Sequence, residues 1–178
     1  MSVLSSSGLN VVALNGSPAQ PSRSRALAEH ALDLAGGGRL VDLAALEPAA
    51  LLALASDPGV EEVRDAVVAS EVLIVATPVY RATYTALTKT IFDLLPMGGL
   101  RGTVVVPIAS GFVADHALSV DHGLRPLVAS LGGWTTPTGV YAARADVGED
   151  GVVGAAVEEL LAAAVREALA LALSLRGS

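Results

Sequence analysis

Cysteine is missing altogether from these 178 residues, which excludes disulfides, thiolate metal sites and thiol redox chemistry. Aromatic residues are scarce: 52% of the chain is hydrophobic but only 3% aromatic, so the core is mostly Ala, Val and Leu, with few rings to spare for stacking. Lys and Arg number 11 against 18 Asp and Glu, and a net charge of −7 leaves no basic face for general nucleic-acid binding. No apolar run reaches the ~20 residues needed to span a bilayer. Residues 1–9 are Ser-rich and lack the basic start and apolar centre of a secretory signal. His30, His116 and His122 do not resemble a zinc ligand set, and no metal is expected. These absences point to a soluble cytoplasmic protein.

The length suits one domain over residues 1–178. Apolar strands are predicted at residues 9–14, 40–43, 72–76, 104–108 and 140–143, and no internal repeat or linker interrupts them. Helices are predicted at 24–34, stopped by Gly36-Gly37-Gly38, at 58–69 with Asp57 as N-cap, from the 77–81 loop to about 95, at 114–131, and at 152–175. Residues 44–56 read as a helix, a covering loop or an oligomer surface. Strands this apolar cannot face water. Five alternations of strand and helix therefore imply a doubly wound parallel sheet covered on both faces. In the order 2-1-3-4-5, strands one, three and four are neighbours, and ligands bind beyond their carboxyl ends.

The loops at those ends have unusual compositions. After the first strand comes Asn15-Gly16-Ser17-Pro18-Ala19-Gln20-Pro21-Ser22-Arg23-Ser24. Gly16 frees the backbone, Ser17, Ser22 and Ser24 offer hydroxyls, and Arg23 offers a guanidinium fork at a helix N-terminus. Together these suit a phosphate monoester, while helix capping by Ser22 or Ser24 is the plainer alternative. The loop is neither GxGxxG nor GxxxxGK[ST], which disfavours Rossmann and Walker sites. The second loop, Thr77-Pro78-Val79-Tyr80-Arg81, holds Thr77 extended before proline. The third is Ser110-Gly111-Phe112. A flavin mononucleotide (FMN) would use all three: phosphate on the first, ring edge on the second, ring face on the third.

With these loops in order, the chain resembles the NAD(P)H-dependent FMN reductases of the flavodoxin-like fold, particularly those serving two-component sulfonate monooxygenases. The resemblance runs from Val11 to about Tyr141. It rests on Gly16-Ser17-Pro18 with Pro21-Ser22-Arg23-Ser24, on Ala76 to Arg81 with Lys89 and Asp93 to Pro96, and on His116 with Val120-Asp121 and Leu124-Arg125-Pro126. It implies hydride transfer from NADPH or NADH to FMN N5, with no side chain acting as acid, base or nucleophile. Ser17, Ser22, Arg23 and Ser24 would bind the phosphate. Pro78, Val79, Tyr80, Arg81, Ser110 and Gly111 would frame the isoalloxazine, and Arg81, Phe112 and His116 would face the nicotinamide nucleotide. Ala19, Phe112 and Ala86 stand where the family has Arg, the second Gly of a pair and Gly; His122 stands where alkanesulfonate-linked members carry Tyr, and methanesulfonate-linked members are more like this sequence there.

The alternatives are an FMN-retaining reductase of quinones, azo dyes or metal ions, a flavodoxin-type electron carrier, and a non-catalytic nucleotide-binding module. A homodimer or homotetramer is expected from Leu87, Ile91, Leu94 and Leu95 at helical spacing and from Leu51, Leu52 and Leu54, more apolar surface than one domain buries. Pro126 cannot donate to the His122 carbonyl, so one turn of π-type bonding is predicted there. The resemblance implies that His122 on this turn lies at a subunit interface and gates flavin release; a plain proline kink is the alternative.

Overall fold

The computed structural model describes residues 8–177; the Ser-rich opening read for a signal lies mostly outside the described residues. The strands are β1 (Val11–Asn15), β2 (Arg39–Asp42), β3 (Val72–Pro78), β4 (Val104–Gly111), β5 (Trp134–Thr135) and β6 (Val140–Ala143). The helices are α1 (Arg23–Ala35), α2 (Pro48–Leu51), α3 (Pro58–Val68), α4 (Ala86–Asp93), α5 (Arg125–Ser130) and α6 (Ala155–Arg176). The sheet order is β2-β1-β3-β4-β5, and β6 also pairs with β4; each pairing is parallel. The predicted fifth strand, 140–143, is β6; β5 is an unpredicted second piece of the same edge, separated from it by residues 136–139, where Pro137 has no N–H for a ladder.

Alternation along each strand divides the core into two layers. Val11 and Ala13, Val72 and Ile74, and Val104 and Val106 pack under α1 and α6. Val12 and Leu14, Leu73 and Val75, and Val105 face α3, α4 and α5. Both layers are buried, as the continuously apolar strands require.

Local sequence sets the helix ends. Asp57 caps α3 by accepting the Val60 N–H at 3.1 Å, with Pro58 in the first turn. The α1 helix ends at Gly36, whose φ of +84° is left-handed. The undecided stretch 44–56 forms a 3-10 turn and the short α2. The predicted helix 114–131 is broken into a 3-10 turn at Ala114–Ala117, a π-helical turn at Val120–Leu124, and α5. In the π turn the Arg125 N–H donates to the Val120 carbonyl, so the widening expected ahead of Pro126 is present. Gly123 fits there because a Cβ would come within 2.9 Å of the Thr83 hydroxyl.

Of the apolar residues expected to exceed what one domain buries, Ile91, Leu95 and Leu51 lie inside this chain's own core, while Leu52 and Leu54 are exposed. Helical spacing alone does not distinguish a core stripe from an interface stripe.

Candidate functional site

The site begins where β1 ends. Ser22 is the N-cap of α1, its backbone extended and its hydroxyl accepting the Arg25 N–H at 3.2 Å. The capping alternative therefore holds, and the Ser22 hydroxyl still has a proton to donate to a ligand. Asp42, at the end of β2, pins the loop. Its carboxylate accepts from Asn15 Nδ2, Gln20 Nε2 and Arg25 Nη1, each at 2.9 Å. Asn15 Oδ1 accepts the Ser17 N–H at 3.1 Å, and the buried Ser17 hydroxyl accepts the Ala19 N–H at 3.2 Å. Ser24, also buried, pairs its hydroxyl with that of Ser110 at 2.8 Å, joining α1 to β4. Arg23 donates through Nε to the Val147 carbonyl at 3.0 Å. Among the described residues its four Nη N–H donors have no protein partner.

Three buried threonines tie this loop to the next. The Thr85 hydroxyl donates to the Gly16 carbonyl at 2.6 Å, and the Thr88 hydroxyl donates to Thr77 Oγ1 at 3.0 Å. Thr85 also caps α4 by accepting the Thr88 N–H at 3.2 Å. A Cβ on Gly16 would lie 2.0 Å from Thr88 Oγ1. Gly16 is required for that close approach rather than for unusual torsions, because its φ is not positive.

The ring-side loop is built differently. Thr77 and Pro78 finish β3 in extended form, and the Val79 N–H continues the ladder to the Ser110 carbonyl at 2.7 Å. Tyr80 and Thr83 then close a tight turn by bonding each other's backbones. Its two central residues, Arg81 and Ala82, have φ of +52° and +69°. Successive positive φ values favour Gly or Asn; in Arg and Ala they store roughly 1–3 kcal/mol each. On the other flank, the Arg144 guanidinium stands 5.3 Å from the Phe112 ring centroid, a cation–π contact. Gly111 is glycine for a reason outside the cleft, since a Cβ there would meet the Tyr141 hydroxyl at 2.3 Å.

These loops enclose a cleft of about 240 Å³. The expected phosphate residues Ser17, Ser22, Arg23 and Ser24 line one part of it. Pro78, Val79, Tyr80, Ser110, Gly111 and Phe112 line the rest, and Arg144 completes the wall. Three expected residues are not in the lining. Arg81 is exposed beyond the strained turn, and His122 is exposed on the π turn. His116 sits on the 3-10 turn after β4 with its Nδ1 buried and without a partner. Among the described residues, no group of three or more His, Asp or Glu side chains could hold a metal ion.

Sequence reasoning missed Asp42, the Thr77, Thr85 and Thr88 cluster, and Arg144. Each left a trace: an acid ending an apolar strand, threonines three apart at a helix start, and an Arg opening the polar loop. None of these traces names a ligand by itself.

Hydroxyl and guanidinium donors at one end and proline, valine and aromatic surface at the other match a phosphate-bearing planar cofactor. FMN fits that donor set. Fold and cleft together define a flavodoxin-like domain of the flavin-binding class, with the cleft at the carboxyl ends of β1, β3 and β4.

Comparison with known proteins narrows the class. The NADPH-dependent FMN reductase family matches residues 9–147, and the chain belongs to that family. It is 38% identical over 181 residues to the NADH-dependent FMN reductase SfnE of Pseudomonas putida, covering 97% of this chain and 95% of that one. It is 37% identical over 139 residues to the FMN reductase (NADPH) of Escherichia coli strain K12, covering 75% and 73%. The crystal structure of the apo form of an NADH:FMN oxidoreductase, EMOB, superposes with a TM-score of 0.82 at 34% identity, covering 93% of this chain and 89% of that one.

Proposed function

We propose that this chain, acting as one domain, uses NADPH or NADH to reduce FMN and releases the reduced flavin to a partner monooxygenase of a sulfonate-oxidising system. The observation that carries this reading is the meeting of all three loops in one cleft, hydroxyls and a cation at one end and apolar surface at the other. Ser17, Ser22, Ser24 and the Nη donors of Arg23 hold the phosphate dianion, helped by the N-terminus of α1. Pro78, Val79 and Tyr80 frame one edge of the ring, and Ser110 and Gly111 its opposite side. Bound FMN supplies two-electron acceptor chemistry for the hydride of the reduced nicotinamide. The protein's part is to align the two rings, and the cleft leaves Tyr80 and Phe112 open to solvent for the second ligand. Arg81, Phe112 and His116 serve the nicotinamide side; Arg81→Ala should raise the Michaelis constant for NAD(P)H and leave FMN affinity unchanged.

A homodimer or homotetramer is part of the same proposal. Phe112, Val113 and Leu118 are exposed on the segment between the cleft and the π turn, and apolar groups clustered in this way mark association surfaces. His122 on that turn would meet a second subunit and gate flavin release. Deleting His122 should change both the retained flavin and the assembly's mass; a deletion variant unchanged in both removes the gate. Among the described residues no helix is long and apolar enough to cross a membrane, in keeping with the proposed cytoplasmic location.

The test is direct. Purified protein mixed under air with NADPH or NADH and FMN should consume the nicotinamide absorbance catalytically, and gel filtration should separate FMN from the protein. No consumption with either nucleotide refutes the reductase reading. Tightly retained FMN with turnover of quinones or azo dyes refutes release to a partner.

A further inference from the structure

Beside the cleft lies a second cavity, larger at about 600 Å³, and the two share Pro21, Ser22, Arg23 and Arg144. Beyond that shared wall the lining changes sign. Glu29, Glu149 and Asp150 carry carboxylates there. Arg25, the cation that lines the larger cavity alone, is already held by Glu29 and Asp42, each at 2.9 Å. The Nη donors of Arg23 have no partner among the described residues, and they stand on the wall facing both spaces, so that a phosphate in the cleft and one in the cavity would share them. Arg144 stands with them, 4.0 Å from Glu149.

A ligand matched to this order of charges has an anion at the shared wall and hydroxyl or amino donors farther in. An adenosine 5′-phosphate unit has that order: phosphate, then ribose hydroxyls, then the exocyclic amine. Carboxylates accept from ribose hydroxyls in other dinucleotide sites for the same reason. We infer that the larger cavity binds the adenosine 5′-phosphate half of a dinucleotide and selects a free ribose 2′-hydroxyl. The inference rests on the FMN-reductase reading for the neighbouring cleft. Two molecules carry this half: the reduced nicotinamide dinucleotide and flavin adenine dinucleotide. In either, an added 2′-phosphate would face Glu149 and Asp150, with Arg25 and Glu29 already paired with each other, and like charges brought together at an interface discriminate strongly. NADH is the expected hydride donor over NADPH.

The cavity can be closed at one point. A Cβ at Gly151 would lie 3.5 Å from the Ala26 Cβ, so α1 and the 148–151 loop nearly touch there. A phenylalanine at position 26 would occupy the space. Calorimetric titration of the purified chain with AMP and with adenosine 2′,5′-bisphosphate reads the site without turnover. AMP should bind, and the bisphosphate should bind about tenfold more weakly. Ala26→Phe should weaken AMP by about tenfold or more, a larger fall than for FMN. The pair Glu29→Gln and Glu149→Gln, both on exposed side chains, should bring the two probes within about threefold of each other.

Kinetics then separate the sources. A fall in kcat/KM on Ala26→Phe with NADH but not with reduced nicotinamide mononucleotide assigns the cavity to the hydride donor. A fall with flavin adenine dinucleotide but not with FMN assigns it to the flavin. The inference is overturned if AMP does not bind, if the bisphosphate binds as tightly as AMP, or if Ala26→Phe binds AMP like the parent. AMP binding in a protein that oxidises no reduced nicotinamide would instead sink the reductase reading and leave the subsite standing.

Discussion

At the phosphate end of the cleft, Asn15, Ser17 and Thr77 with Thr85 and Thr88 are buried and bonded to partners within the chain, and Asp42 holds three groups at once. At the ring end, Tyr80 is 49% and Phe112 68% exposed, and the turn between Tyr80 and Thr83 carries two strained residues. On the proposed function, the contrast separates two tasks. A phosphate is recognised by donors fixed in advance, so the entropic cost of ordering them is met when the chain folds. A ring that must receive a second ring cannot be walled in, and its frame is left open. On the proposed function, the exposed rings and strained turn would be covered by a ligand or another subunit.

The contrast can be broken most severely at Gly16. Gly16→Ala sets a methyl 2.0 Å from Thr88 Oγ1 in a buried network, and overpacking of this kind costs about 1–3 kcal/mol or more. Denaturation midpoint and FMN affinity should both fall. Next in size is Thr85→Val, which removes the cap of α4 and the hydrogen bond to the Gly16 carbonyl. A loss of about 1–2 kcal/mol in urea unfolding is expected, since a cap and a buried acceptor are lost together. An unchanged midpoint would mean that the threonines do not fix the loop.

The ring end should respond with the opposite sign. Ala82→Gly relieves a left-handed residue at φ +69°, and after the greater chain entropy of glycine a gain of about 0.5–1 kcal/mol should remain. A loss of stability would remove strain from the account of that turn. The smallest effect lies far from both ends. The Arg176 guanidinium beside Glu71 holds its carboxyl below the usual carboxylate range. A depressed folded value stabilises the protein above the ordinary carboxylate pKa, and that contribution is lost as pH falls through the folded value. Glu71→Gln should flatten the acid limb of the stability curve only slightly, because exposed ion pairs contribute little.

The sheet was legible because its strands are nearly pure Val, Leu, Ile and Ala, and because the third and fourth, Val72 to Ala76 and Val104 to Ile108, admit no polar residue. The π turn was legible too, since Pro126 removes one donor at a known position. Trp134-Thr135 was not: two residues carry no periodicity, and their pairing with β4 is a long-range event. Which members of the Leu87, Ile91, Leu94 and Leu95 stripe belong to the core was not legible, because an amphipathic stripe reads alike against a core or a partner. The loops displayed their residue types in sequence, but Asp42 holding Asn15, Gln20 and Arg25 depends on β2 lying beside β1. Arg144 joins the cleft only through the pairing of β6 with β4.

The central claim is that the first loop is a preformed phosphate site and that affinity for the flavin resides there. Titrating the chain and its Arg23→Ala variant with FMN and with riboflavin measures this most directly, since the two ligands differ by the phosphate alone. The parent should bind FMN at least about tenfold more tightly than riboflavin, and Arg23→Ala should cost FMN about 1–3 kcal/mol while riboflavin changes little. Equal affinities in the parent, or equal losses for both flavins in the variant, would contradict it.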